Sequence, residues 1–192
     1  MSRIIGCRDL HIAQLIKDEY GQTVAYQAPT RVPALVNVSV SDKVEQSKFY
    51  SDDSVEQAFS KTSGKEITIE LGYMTNEMEA LITGKTFDAT TGVMVQKGDD
   101  SAKEIALIFR APKSKGGFRY MVLYKGTLTR TESEYKTQED KVDSATVTLV
   151  GTFIPLQANG LMSSTVDSDD TASAAVVADW FTKVYIPGQG TV

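Results

Sequence analysis

Two runs near the middle of the chain are apolar at both parities. Ile105, Leu107 and Phe109 alternate with Ala106 and Ile108, and Tyr120, Val122 and Tyr124 with Met121 and Leu123. Strands with both faces covered read this way. Between the runs lie Pro112, Lys113, Ser114, Lys115, Gly116 and Gly117, a turn composition, since proline fixes φ and paired glycines admit positive φ. The pattern predicts a hairpin at the centre of a β-domain. Arg119 and Lys125 share a parity on its second strand, so one face of that strand reads as half covered.

Other segments read as elements that cover this hairpin or extend it. Leu10 to Lys17 fits either a short strand or a helical turn. Val32 to Val40 alternates Val36, Val38 and Val40 against Asn37 and Ser39, with Pro33 near its start. Lys65 to Leu71 is amphipathic, with Ile67, Ile69 and Leu71 opposite Glu66, Thr68 and Glu70. Ser144 to Ile154 repeats the pattern, setting Val147, Leu149 and Phe153 against Thr146, Thr148 and Thr152. A short strand begins at Val93. Thr75 is placed to cap a helix over 75–83 that Gly84 stops, and Asp169 or Asp170 caps a last helix carrying Ala174, Val177, Phe181 and Val184 in one stripe.

The segment 41–64 is polar, with Phe49, Tyr50, Val55 and Phe59 scattered through it. That is long for an inert connection, so it reads as an arm loop whose spaced aromatics pack on something. Residues 129–143 read as a charged connection, and a tail from Ile186 reads as frayed. The inventory is mainly β. It predicts one domain over 1–192, a β-sandwich or partial barrel with a flanking α-helix and a long arm loop.

Composition narrows the function classes. The chain has 192 residues, 41% hydrophobic and 23% charged, with a net charge of −5. That acidity argues against tight binding to a phosphate backbone. The single cysteine, Cys7, precludes an intrachain disulfide, and the first residues lack the apolar core of a secretory signal. No apolar run nears the roughly 20 residues that span a bilayer, so neither a membrane nor an oxidising compartment is expected.

Candidate chemistry is sparse. His11 is the only histidine, which rules out a multi-histidine metal site and favours a structural role. Cys7 and His11 would make a nucleophile pair only in a context that the sequence lacks. The run 167–170, DSDD, could supply oxygen ligands to calcium but lacks the glycine and distal glutamate of an EF-hand loop, so helix capping is preferred. Asp52 and Asp53 read as a turn, and Glu132, Glu134, Glu139 and Asp140 as a solvated stretch. Lys113 to Gly117 has neither the spacing nor the following helix of a phosphate loop. The sequence predicts no catalytic residue, cofactor or metal.

Taken in order, IGCRDLHIAQL, FYSDDSVEQ, KEITIELGYMTNEMEALITGKTFD, GGFRYMVLYKGTLTRTESEYKTQEDKVDSATVTLVGTFIP and the closing ADWF resemble the major tail protein, or tail-tube protein, of long-tailed, non-contractile phages of Gram-positive bacteria. The resemblance runs from Ile4 to Tyr185 and rests on the order of many weak elements. It implies six-membered rings stacked into a tube, each subunit giving a sheet to a continuous inner barrel with a helix outside. It further implies a virion tail protein assembled in the host cytoplasm that passes DNA through its lumen and meets tape measure and tail terminator or tip proteins. Enzymatic activity and cofactors are not expected of the family.

With that resemblance in hand, Glu66, Thr68, Glu70, Thr146 and Thr148 are candidates to face the lumen, where acidic character would keep DNA from adhering. Phe49, Tyr50, Val55 and Phe59 are candidate anchors of an inter-subunit arm. The hairpin tip 112–117 is expected to be a ring contact or a free end. The alternatives are a monomeric β-sandwich binding module, such as a receptor-binding or capsid-decoration protein, and a hydrolase, which the lone histidine and lone cysteine disfavour.

Overall fold

The computed structural model describes residues 2–51, 54–131 and 146–189, with side chains outside 50–56. Among the described residues, eleven strands and two short α-helices follow one another. The strands are β1 (Arg8–Lys17), β2 (Ala25–Tyr26), β3 (Thr30–Val32), β4 (Leu35–Ser51) and β5 (Ser54–Leu71), followed by α1 (Asn76–Thr83). Then come β6 (Thr86–Phe87), β7 (Met94–Val95), β8 (Ile105–Pro112), β9 (Phe118–Arg130), β10 (Val147–Ile154) and β11 (Ser163–Asp167). A 3₁₀ turn at Thr171–Ser173 leads into α2 (Ala174–Ala178).

Nine strands form one antiparallel sheet in the order β2-β1-β8-β9-β10-β5-β4, with β3 also on β1 and β11 also on β9. β6 and β7 make a separate small hairpin. The sheet curls until β1 and β4 approach, and the Cys7 thiol meets the Val36 carbonyl at 3.7 Å there. Pro33 and Ala34 carry the chain from one flank to the other, Ala34 in the left-handed region (φ 60°) with its carbonyl taken by the Gly72 amide. The fold is mainly β, as the strand patterns predict, and the curl stops short of a closed barrel.

The concave face holds the larger core. Ile67, Ile69 and Leu71 of β5, Leu149 and Phe153 of β10, and Ile105 and Leu107 of β8 meet there, each almost fully buried. Burying one such side chain contributes about 1.5–3 kcal/mol. α1 closes this face, laying Ile82 into the core. Its limits follow local chemistry. The Thr75 hydroxyl accepts from the Met78 amide at the N-terminus, and Gly84 ends the helix at φ 78°, where a Cβ would lie 1.9 Å from the Ser101 carbonyl oxygen.

The convex face is divided. Over β8 and β9 it carries Ile108, Tyr120, Val122 and Tyr124, covered by Leu156, Trp180 and Ile186 of the C-terminal segment. The last helix is shorter than its sequence stripe predicts. It ends at Ala178, and the chain continues in turns that still bury Trp180, whose ring stacks on Tyr185 at 5.7 Å. Ile186, where the sequence suggests fraying, lies in this second core; residues 190–192 fall outside the described set.

β9 departs from simple alternation. Ile105 pairs with Gly126 but Leu107 with Leu123, so two residues of β9 oppose one of β8. This bulge turns both Tyr124 and Lys125 to the convex side and restores Gly126 and Leu128 to the concave side. The parity that groups Lys125 with Arg119 is therefore broken. Gly126 is required there, since a Cβ would lie 2.5 Å from the Phe153 ring.

Candidate assembly surfaces

The uncovered part of the convex face is a polar field on four strands. Register places Glu66, Thr68 and Glu70 of β5 beside Ser41, Ser39 and Asn37 of β4. On the other side they meet Thr152, Val150 and Thr148 of β10, and Thr127 and Thr129 of β9 follow. The two polar faces that the sequence offers as separate candidates are thus one surface. Thr146 is exposed just before β10, and Thr148 sits within it. Glu66 and Glu70 are the ionisable groups among these positions, and none is basic. Several hydroxyls bond to the ladder itself, Ser41 Oγ to the Glu66 carbonyl and Thr129 Oγ1 to the Val150 carbonyl.

The arm is a paired hairpin rather than a loop. β4 and β5 continue their ladder past the body, from Lys43 opposite Gly64 to Ser51 opposite Ser54. From Val44 and Thr62 outward its described side chains are solvent-exposed on both faces. Phe49 and Phe59 stand 58% and 52% exposed with ring centroids 5.9 Å apart, edge to face. Tyr50 and Val55 are partners in the ladder, and their side chains lie outside the described set. A hairpin with neither face covered has no periodicity to betray it, which is why the sequence reads as a connection. Alone in water such a two-stranded ribbon is marginal.

Charged ties hold the C-terminal segment to the sheet. Asp18 accepts from the Gln157 and Ala158 amides and from Lys125 Nζ at 2.8 Å, and both side chains of the pair are nearly inaccessible. Burial pushes the Asp18 carboxyl up, but these donors outweigh it and hold it below its ordinary value. At the other end Arg119 grips Asp167 through two bonds of 2.8 Å, and Lys113 reaches Asp167 at 3.0 Å and Asp169 at 2.8 Å. Arg119, with Lys113 behind it, holds the Asp167 carboxyl well below the carboxylate range. Beneath α1, burial raises the Glu79 carboxyl, yet Lys85 at 2.6 Å and Arg130 at 2.8 Å bring it below its ordinary value.

These ties account for the remaining sequence candidates. The acidic run at 167–170 is engaged by Arg119 and Lys113, while Asp170 caps the 3₁₀ turn. The tip of the central hairpin is tied back, since the Lys115 amide donates to Ser2 Oγ and the Ser114 amide to the Arg3 carbonyl. His11 takes the Asp9 carbonyl on Nδ1 and packs on Phe181 at 4.6 Å, with no bond to Cys7. Burial pushes the Cys7 thiol up. Among the described residues no three His, Cys, Asp or Glu side chains converge as a metal site would require. Asp52, Asp53 and the acidic stretch at 132–140 lie outside the described residues. Among the described residues no helix is long and apolar enough to cross a membrane.

What the sequence does not reveal is the groove between β2 and the C-terminal segment, ≈ 760 Å³ in volume. Its walls come from residues some 150 positions apart in the chain, beyond any local periodicity (Val24 and Tyr26 against Val176 to Ile186).

The described residues thus present a curled antiparallel sheet with a polar outer field and a projecting hairpin, surfaces suited to assembly. A family model for the phage tail tube protein matches residues 41–181, and the chain belongs to that family. The matched span begins at the arm and takes in the β5, β9 and β10 strands of the polar field. No curated protein sequence matches the chain. Membership makes this a structural component of the phage tail, of a family that self-assembles into a tube with other tail proteins.

Proposed function

We propose that the chain polymerises as stacked, six-membered rings and that the polar field on β4, β5, β10 and β9 lines the lumen through which DNA passes. The observation that carries this is the union of both candidate faces into one continuous surface that bears Glu66 and Glu70 at its centre, with Lys43 at its margin where the arm begins. Like charge on wall and phosphate prevents adhesion, while lysines would bring the salt-dependent drag of counterion release. The arm, with Phe49, Tyr50, Val55 and Phe59, supplies contacts between subunits, and tape measure and terminator or tip proteins bound the tube. Rings remove the open sheet edges that would otherwise aggregate.

Glu66→Lys combined with Glu70→Lys tests the wall. Tubes of normal appearance by electron microscopy that release DNA more slowly, and more so at low salt, are expected. Normal release from such tubes would remove the lumen assignment. A wild-type chain that stays a discrete monomer at every concentration would instead favour a binding module.

A further inference from the structure

We propose that the aromatic face of one copy's hairpin arm seats in the groove between β2 and the C-terminal segment of a second copy. This rests on the self-assembly reading above and names the surface that the arm meets. The groove is walled by Val24 and Tyr26 on one side and by Val176, Val184, Tyr185 and Ile186 on the other. Its ≈ 760 Å³ falls within the roughly 300–1,000 Å³ of cavities that enclose sizeable apolar groups. The walls are firmly set, because Val24 and Ile186 belong to the second core and Tyr185 stacks on Trp180. β2 ends the strand order, so the groove runs beside a ladder edge with no strand neighbour among the described residues.

The arm offers the matching knob. Phe49 and Phe59 sit in edge-to-face contact on one side of the ribbon, so they enter a cavity as a single wedge. Each phenyl group can bury on the order of 150–250 Å², and within its own chain each is more than half exposed. The arm extends about 26 Å beyond the body, at roughly 3.3 Å per residue over residues 44–51.

Topology makes the occupant another copy. β4 and β2 end the strand order, and Phe49 and Phe59 are left more than half exposed even though the sheet curls, so the knob is not seated in its own chain's hole. Knob and hole lie at the same end of the sheet. The register runs from Lys65 through Phe153, Gly126, Ile105 and Gln14, and the next residue, Leu15, pairs with Tyr26. A knob on one flank and a hole on the other join copies head to tail, a heterologous contact that closes into rings or propagates as a filament. A monomeric module has no use for such a pair.

Disulfide trapping in the full-length chain tests this. In a Cys7→Ser background, Phe59→Cys is combined with Val184→Cys in the groove or, as a control, with exposed Tyr73→Cys. Oxidation of assembled tubes is expected to give covalent dimers and a ladder of higher multimers for the first pair and none for the control. Tubes that form without that cross-link would overturn the arm-in-groove contact and leave the tube reading intact. Failure of the unmodified chain to form tubes or rings would sink both.

Hydrogen exchange on the unmodified chain serves should the cysteine variants misfold. The amides of 183–186 and of Gly188 should slow by about tenfold or more when tubes form. Equal exchange before and after assembly would overturn the proposal.

Discussion

The inner and outer halves of the β4–β5 hairpin are the same two strands in two different solvents. From Lys65 to Leu71 the ladder has a buried side, where Ile67, Ile69 and Leu71 are at most 1% exposed, and a polar side. From Val44 outward the pairing continues, yet both sides face water and Phe49 and Phe59 stand bare. Backbone hydrogen bonding is common to both halves. What differs is burial, so the inner half stabilises the subunit whereas the outer half has its apolar surface free for a neighbour.

The largest break in that comparison comes from the inner half. Ile69→Ala should cost the subunit about 2–5 kcal/mol by leaving a cavity in a fully buried site. Urea denaturation of the isolated subunit measures it, and a loss well under 1 kcal/mol would refute the placement of Ile69 at the core.

Acid probes the ties of the body and spares the arm. Asp18 and Glu79 titrate below their ordinary 3.8 and 4.5 in the folded chain, so the unfolded chain binds the more protons as pH drops. Their stabilisation is complete above those ordinary values and is lost as pH falls through the depressed folded values. Thermal melts from pH 6 to pH 2.5 should show a falling midpoint below about 4.5, and a Lys125→Met, Asp18→Leu subunit should show a shallower decline. An identical slope in that double variant would take Asp18 out of the account.

The smallest effect on the subunit belongs to the outer half. Phe59→Ala should leave its stability within about 0.5 kcal/mol, as surface substitutions do, while raising the concentration at which tubes appear in light scattering. Unchanged assembly would show that the exposed ring has no partner.

Legibility in the sequence followed the same divide. Where a strand has one wet and one dry face, as at Lys65–Leu71 and Val147–Ile154, alternation marks it and even its orientation. The cap at Thr75 and the stop at Gly84 were equally plain, because each is a local event. Polar candidates on β5 and β10 were identified as residues but not as neighbours, since adjacency across a ladder depends on register. The outer hairpin has no dry face, and Lys125 obeys a parity changed by a bulge in its own strand. The groove was invisible because Tyr26 and Tyr185 meet only when the chain has closed over the sheet.

That bulge has a consequence for how the chain can change. β9 is in effect two strands of opposite phase welded by one residue, the first half reading core at Met121 and Leu123 and the second at Gly126 and Leu128. The weld fixes the reading frame of the whole sheet, for β11 and most of β8 pair with the first half, while β10 and Ile105 of β8 meet the second. Substitutions along the strand disturb one site at a time. The loss or gain of one residue between Leu123 and Gly126 would instead turn half of the molecule inside out relative to the other half.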